Sequence, residues 1–412
     1  MAWVSTRSSG HTPISTGNPG PTAPVINAAS TPPLHTKFAL EPRTLNELLE
    51  LPVERLGEVD IARMNLLCAS ALPSTQSLNI EHALSVLDEW AGKVAFETDR
   101  HLYRVTDPRF ADRYHGSEPH FRAEMLAQVL QEDLGVRYNP KAIGDFSFAD
   151  LTTGFIHGII PAPGKTTADT PGGTCASMPV LYVAVGRRLG YPLKLATTDG
   201  HIFARWDGLD HANPAWRERF NCETTNGFHR FDDDYYKTWP HKISDWEIQV
   251  KGHLLSLSPA EELAEFLATR GHHAEDVGQV GFAARCFENA YRYDSRRPCY
   301  GAWFVGAAMR SGYRPATPEL AKLLAYKQRS ATAARRPSID GMPMPSEMAA
   351  AARMTIPFYP NAVSSRAGQR QYQPTILDMP QPAIPPVRPV NPHPQFDQFN
   401  PQPPFDRFRS QP

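Results

Sequence analysis

Residues 193–206, LKLATTDGHIFARW, set two β-rich runs of six residues on either side of the dipeptide Asp199-Gly200. An Asp-Gly pair between such runs predicts a two-residue hairpin, because a type I′ turn needs positive φ at both central residues. The stretch before it, MPVLYVAVGRRLGYP, places Met178, Leu181, Tyr182, Val185 and Leu189 on one helical stripe. That helix is expected to stop at Gly190, ahead of Pro192. After a polar loop, RFNCETT predicts a further strand over 219–225. A helix followed by a hairpin and a further strand, among helical segments, makes the expected fold class α+β.

Helical patterning surrounds this centre. DIARMNLLCASAL puts Ile61, Met64, Cys68 and Leu72 on one face, and NIEHALSVLDEWAGKV repeats the pattern with Ile80, Leu84, Leu87, Ala91 and Val94. SEPHFRAEMLAQVLQEDLGV offers Ser117 as N-cap, Glu118 and Pro119 in the first turn, and Phe121, Met125 and Val129 along a face. From Pro259 the chain turns helical again. Gly271, Ala283, Phe287 and Ala290 fall at the small and aromatic positions of a tetratricopeptide helix pair. Arg270 and Ala274 depart from that pattern and Ser295 stands where it has proline, so an ordinary helical hairpin is the competing reading.

The two ends differ in composition. Residues 1–36 are rich in Ser, Thr, Pro and Gly, and 17 of the 40 prolines lie in 337–412. Both segments are expected to be disordered. Phe-Asp-x-Phe occurs twice in the tail, at 396–399 and 405–408, and is a candidate docking motif for a protein partner. A net charge of −1 argues against a general nucleic-acid or acidic-membrane binder. No stretch approaches the ~18 apolar residues of a membrane helix. The five cysteines are widely spaced with no C-x-x-C pair, and the first residues contain no apolar signal region. These features fit a reducing compartment, and the expected location is the cytoplasm.

One cysteine stands out by its setting. GGTCASMPVLY places Cys175 where a glycine-rich loop opens into the helix. Unpaired N–H groups at a helix N-terminus favour a thiolate and can also hold an acyl oxyanion. Gly172 and Gly173 allow a tight turn and the close approach of a substrate backbone. His201 follows 26 residues later, directly after the Asp199-Gly200 turn, where an imidazole can act as base and then acid. On the strand over 219–225, alternation puts Asn221 and Glu223 on one face and Cys222 on the other, towards a core. A carboxylate facing the imidazole fixes its tautomer, so Cys175, His201 and Glu223 are the candidate nucleophile, base and orienter. Cys175, His201, His211 and Cys222 would supply four zinc ligands, but their spacings lack the short paired steps of structural zinc sites, and no metal or cofactor is expected. Tyr182, Trp206 and Trp239 are candidate pocket aromatics, against plain core packing. The run FDDDYYKTWP, 231–240, holds three aspartates that suit either a cation or a solvated loop.

The segments GGTCASMPVLYVAVGRRLGYPLKL, HIFARW and RFNCETTNGF together resemble the SirB1 family, bacterial proteins of the transglutaminase-like superfamily. NLLCASAL, LDEWA, GVRYNP and IHGII are similar to the lead-in of the same family, whose members often carry tetratricopeptide helices afterwards. The resemblance covers roughly 55–300 and implies a papain/transglutaminase-like core, with Cys175 as nucleophile and His201 as base. The superfamily usually has Asp in a D-P-T-like stretch at the third position. Here ETT stands there, which makes Glu223 the third member and Asp207 the runner-up. The expected division is a disordered segment 1–36, a helical subdomain 37–149, a catalytic core 150–255, tetratricopeptide-like helices 256–334 and a disordered tail 335–412. Three readings of function stay open: thiol-dependent acyl chemistry on a protein or peptide substrate, a binding module on the same fold, and a scaffold acting through its helices and tail.

Overall fold

The structure is a computed structural model that describes residues 38–143, 146–225 and 229–334. The N-terminal segment and the Pro-rich tail with its Phe-Asp-x-Phe motifs lie outside the described residues. Among the described residues helix outweighs strand, 59% to 8%, with one small antiparallel sheet. The order is α1 (Leu45–Glu50), α2 (Ile61–Ala69), α3 (Ile80–His101), α4 (Ala111–Tyr114), α5 (Glu118–Gln128), α6 (Leu151–Gly154) and α7 (Met178–Arg188). Strands β1 (Leu193–Thr198), β2 (His201–Asp207) and β3 (Arg219–Cys222) follow. The chain closes with α8 (Asp233–Tyr236), α9 (Asp245–Lys251), α10 (Pro259–Asp276), α11 (Val280–Tyr293), α12 (Pro298–Ser311) and α13 (Pro318–Ala334).

The hairpin forms in the expected register, with Thr198 opposite His201 and Leu193 opposite Trp206. Its turn is not type I′, because Gly200 has φ +75° but Asp199 is not left-handed. A Cβ makes the left-handed region costly, and glycine alone enters it freely. The third strand joins antiparallel to β2, Ala204 opposite Cys222 and Trp206 opposite Phe220. It ends at Cys222 instead of running to 225, and Glu223 pairs with His229 in an isolated bridge.

Period-two alternation gives this sheet two buried faces. Leu193, Leu195, Ala204, Trp206 and Cys222 join α7 and the N-terminal helices in the main core. Ala196 and Phe203 face the other way, onto Tyr236, Ile243 and Leu254. The outer edge of β1 is covered by 254–257, where Leu254 N–H donates to Thr197 C=O and Leu257 N–H to Leu195 C=O, both at 2.8 Å. Capping fixes the N-terminal helices: Ser117 accepts from His120 N–H at 3.1 Å at the start of α5, and Asp60 accepts from Ala62 N–H at 2.8 Å at the start of α2. In the C-terminal region α10 packs on α11, α11 on α12 and α12 on α13. Gly271 lies against the Phe287 ring, where a Cβ would come within 2.5 Å, so the small-against-aromatic spacing is met by a helix pair. No helix among the described residues is long and apolar enough to cross a membrane.

Candidate active site

Cys175 precedes α7 instead of lying within it. It occupies a turn, and the helix proper starts at Met178. The turn nonetheless runs into the helix, because Met178 N–H donates to Thr174 C=O at 2.9 Å, the spacing of an α-helical bond. Thr174 holds this turn: its Oγ1 accepts from Ala176 N–H at 3.1 Å and donates to Thr153 C=O at 2.5 Å. The Tyr138 hydroxyl lies beside the Cys175 backbone. The Cys175 side chain therefore stands at the positive end of an eleven-residue helix, in a residue that is partly exposed.

The glycines before it serve the chain's own backbone. Gly172 has φ +98°, and a Cβ there would lie 2.7 Å from the Arg137 carbonyl oxygen. Tyr138 pairs with Gly173 in a parallel bridge, closed by Asn139 N–H to Gly173 C=O at 2.7 Å and Gly173 N–H to Arg137 C=O at 2.9 Å. The close approach expected of a substrate is thus made by residues 137–139, which bring Tyr138 to the cysteine. Burial, followed by the neighbouring Cys175 and Glu223, pushes the Tyr138 phenol above its ordinary range, so it is a neutral O–H group.

His201 is the first residue of β2, set by the turn and 5% exposed. Its Nε2 donates to Glu223 Oε2 at 2.8 Å, and the Cys175 side chain neighbours the ring and adds to its hold on a proton. Glu223 is 0% exposed and takes five donors among the described residues. Thr224 N–H, Thr225 N–H and Thr225 Oγ1 share Oε1 at 3.0, 3.0 and 2.7 Å. Tyr236 O–H joins His201 on Oε2 at 3.0 Å. Burial works against charge on both partners. The Glu223 carboxylate overcomes it on His201 and holds the imidazole's proton to higher pH than usual. The His201 charge and the threonine donors overcome it on Glu223 and keep the carboxyl ionised well into acid. Trp239 lies edge-on to His201, ring centres 4.6 Å apart, and Tyr236 stacks on Phe203 at 3.8 Å.

The other candidates fall elsewhere. Asp207 is at the far end of β2, 3.3 Å from Lys194 Nζ and 3.8 Å from Arg219 Nε, so Glu223 and not Asp207 meets the imidazole. Cys222 points into the core, and His211 stacks on Trp216 at 5.0 Å. Each aspartate of 231–240 has a protein partner: Asp232 caps α8, Asp233 binds Arg205 and Asn221, and Asp234 pairs with Lys237. Among the described residues no group of three or more His, Cys, Asp or Glu side chains is placed to hold a metal ion. Tyr182 and Trp206 are core residues at 2% and 0% exposure, and of the three aromatics only Trp239 lies at the site. Tyr138 and Tyr236 escaped sequence reasoning. The one usable signal was the aspartate-rich start of α8, a capping pattern that sets Tyr236 on a helical turn.

Comparison with family models gives no match, and comparisons with curated proteins and with solved structures give none either.

Proposed function

We propose that the chain is a thiol-dependent acyl-transfer enzyme or hydrolase of transglutaminase-like type, as its SirB1 resemblance implies, with a protein or peptide as acyl donor. The observation that carries this reading is the buried His201 imidazole bonded to the Glu223 carboxylate, with the Cys175 side chain beside the same ring. A structural histidine needs only one such partner. This one lies between the side chain of a partly exposed cysteine and a carboxylate with five donors among the described residues, which is the order nucleophile, base, orienter.

The chemistry runs in two halves. The Cys175 thiolate attacks the carbonyl carbon, the C–S bond forms and the carbonyl π electrons move to oxygen. That oxygen would be held by the Cys175 N–H and the neutral Tyr138 O–H beside it. The oxyanion collapses, the C–N bond breaks, and the leaving amine takes the imidazolium proton. In the second half His201 takes a proton from water or an acceptor amine as that nucleophile attacks the thioester. The acyl group departs with it, and the thiolate–imidazolium pair is restored. Glu223 keeps Nε2 protonated throughout and so leaves Nδ1 as the nitrogen that exchanges a proton with the reacting groups.

Alkylation followed by peptide mapping tests the nucleophile. Burial pushes the thiols of Cys68 and Cys222 up to about 12, Cys286 up to about 11 and Cys299 up to about 12, so all four are protonated at neutral pH. Cys175 is expected to label at least ~10-fold faster than any of them below pH 8, and His201→Ala is expected to remove most of that advantage. If native Cys175 reacts no faster than Cys68 or Cys299, the proposal fails.

A further inference from the structure

The third member of the triad is itself held, and the way it is held singles out one more residue. Glu223 Oε1 is occupied by the two threonines, whose donors belong to the same stretch of backbone. Oε2 is the oxygen that faces the imidazole, and it has a second donor from a different element, the Tyr236 hydroxyl on α8. Tyr236 is 0% exposed, so no water competes for that oxygen through it. We propose that Tyr236 is a positioning residue that sets the proton affinity of His201, making the site a Cys175–His201–Glu223–Tyr236 tetrad. This rests on the thiol chemistry proposed above for its purpose, but not for its measurement.

The physical argument concerns how one oxygen divides its charge. A carboxylate oxygen that accepts two hydrogen bonds offers each donor less negative charge than one that accepts a single bond. With Tyr236 donating, the imidazolium is less stabilised and His201 gives up its proton more readily, as a group that serves alternately as base and acid requires. Without the phenol, the whole charge of Oε2 falls on the imidazolium, which then holds its proton to higher pH.

The fold goes to some length to keep that hydroxyl in place. α8 has only four residues and would not hold its own geometry. Arg205, fully buried on β2, donates to Asp233 Oδ1 at 2.5 Å, to Asn221 Oδ1 at 2.6 Å and to Leu254 C=O at 2.7 Å. Asn221 donates in turn to Asp233 Oδ1 at 2.9 Å and Phe231 C=O at 3.0 Å. Thr198 Oγ1, at the end of β1, donates to the Tyr236 carbonyl at 2.8 Å. The first turn of α8 is thereby tied to all three strands, and the Tyr236 ring is fixed flat on Phe203 with an interplanar angle of 6°. A hydroxyl needed only to fill a core would not require this frame.

The other ionisable groups acting on the pair are Cys175 ahead of α7, Tyr138, Tyr182 on α7, Cys222 on β3 and Tyr235 on α8, with Arg205 facing Tyr236. Burial pushes the three tyrosines and Cys222 upward, so they stay neutral through the range in which His201 titrates. Tyr236 can therefore be varied without altering the charge of its surroundings.

The test is the titration of the His201 ring in the full chain, followed by nitrogen NMR with labelled histidine and assigned through His201→Gln. Tyr236→Phe keeps the ring stack and removes only the donor, and is expected to raise the His201 midpoint by about one pH unit. Site-specific replacement of Tyr236 by a ring-fluorinated, more acidic tyrosine strengthens the donor and is expected to lower it. The second variant keeps the test alive should Tyr236→Phe fail to fold. An unchanged midpoint in a folded variant, or shifts of the same sign in both, would overturn the proposal. Alkylation of Cys175 is read in parallel. A Cys175 no more reactive than the other cysteines removes the enzymatic reading alone, and the His201 midpoint still decides the role of Tyr236.

Discussion

Glu223 has no solvent to stabilise its charge, and a buried carboxylate stays ionised only where partners replace water. Its five donors among the described residues do so, and His201 is the one that carries charge. Protonation of this pair is therefore tied to stability. The imidazole keeps its proton to higher pH in the folded protein than near ~6.5, where it titrates in an unfolded chain, so its contribution is complete below that pH and fades as pH rises. Glu223 is held down, so its contribution is present above ~4.3 and is lost only as acid reaches its folded value. Both contributions are complete between about pH 4.5 and 6.5. Urea unfolding is expected to show native stability falling from pH 7 to 9, with a slope approaching ~1.4 kcal/mol per pH unit. Glu223→Gln keeps the shape and removes the charge. It is expected to cost about 3–5 kcal/mol at pH 6 and to flatten that slope. Parallel slopes in the two proteins would mean that Glu223 lends the imidazole no proton affinity.

At the level of elements, the site depends on how the 137–139 segment crosses the loop ahead of α7. Both glycines meet that segment backbone to backbone, but an added Cβ would strike different things. At Gly172, with φ +98°, it meets the Arg137 carbonyl oxygen at 2.7 Å, and at Gly173 the side chains of Met178 and Ile159, at 2.4 and 2.7 Å. Gly172→Ala therefore combines left-handed strain with a clash against the Arg137 carbonyl, and is expected to cost ~2–4 kcal/mol. Gly173→Ala carries no left-handed strain but drives a Cβ against the buried Met178 and Ile159 side chains, and is expected to cost ~1–3 kcal/mol. Thermal melts of the two variants check the order, and a Gly173→Ala variant less stable than Gly172→Ala would contradict it. What could be read from sequence obeys the same division between local and distant. The hairpin, the Ser117 cap and the place of His201 are set by neighbours in the chain and were legible there. Glu223 was legible through alternation, although the strand carrying it stops one residue short. Tyr138 reaches Cys175 by a parallel bridge, and Tyr236 reaches Glu223 from beyond the strand, and neither leaves a periodic trace. The glycine pair was legible as a tight turn, but its occupant was not, because a missing side chain does not say which backbone comes close.

Across the whole molecule, one buried apolar cluster runs from Leu48 through α7 and the sheet to Ala290 and Tyr300. Its continuity through α10 decides whether the site can stand without the C-terminal helices. Leu263, Ala264, Phe266 and Leu267 of α10 are buried in that cluster, and α10 packs on α2. Glu262, also fully buried, receives Arg187 of α7 through two bonds at 3.0 and 2.6 Å. Arg187 in turn donates to Leu193 C=O at 2.9 Å, so the helix behind Cys175 is joined through it to the start of β1. Arg270 reaches the end of α2, donating to Ser70 C=O at 2.8 Å. Three large side chains at ~1.5–3 kcal/mol each amount to ~5–9 kcal/mol, an upper estimate. That is of the order of a domain's entire stability, ~5–15 kcal/mol. The last helix differs, because Leu320 and Leu324 of α13 belong to a second cluster shared with α11 and α12. A chain ending at 257 is therefore expected to lose cooperative unfolding and the fast labelling of Cys175 together. A chain ending at 313 lacks only α13 and the Pro-rich tail, and is expected to keep both with a lowered melting temperature. Circular dichroism melts with alkylation of each protein measure this. A 257-residue chain that melts cooperatively and labels at the native rate would show that the sheet and α7 hold the site without α10.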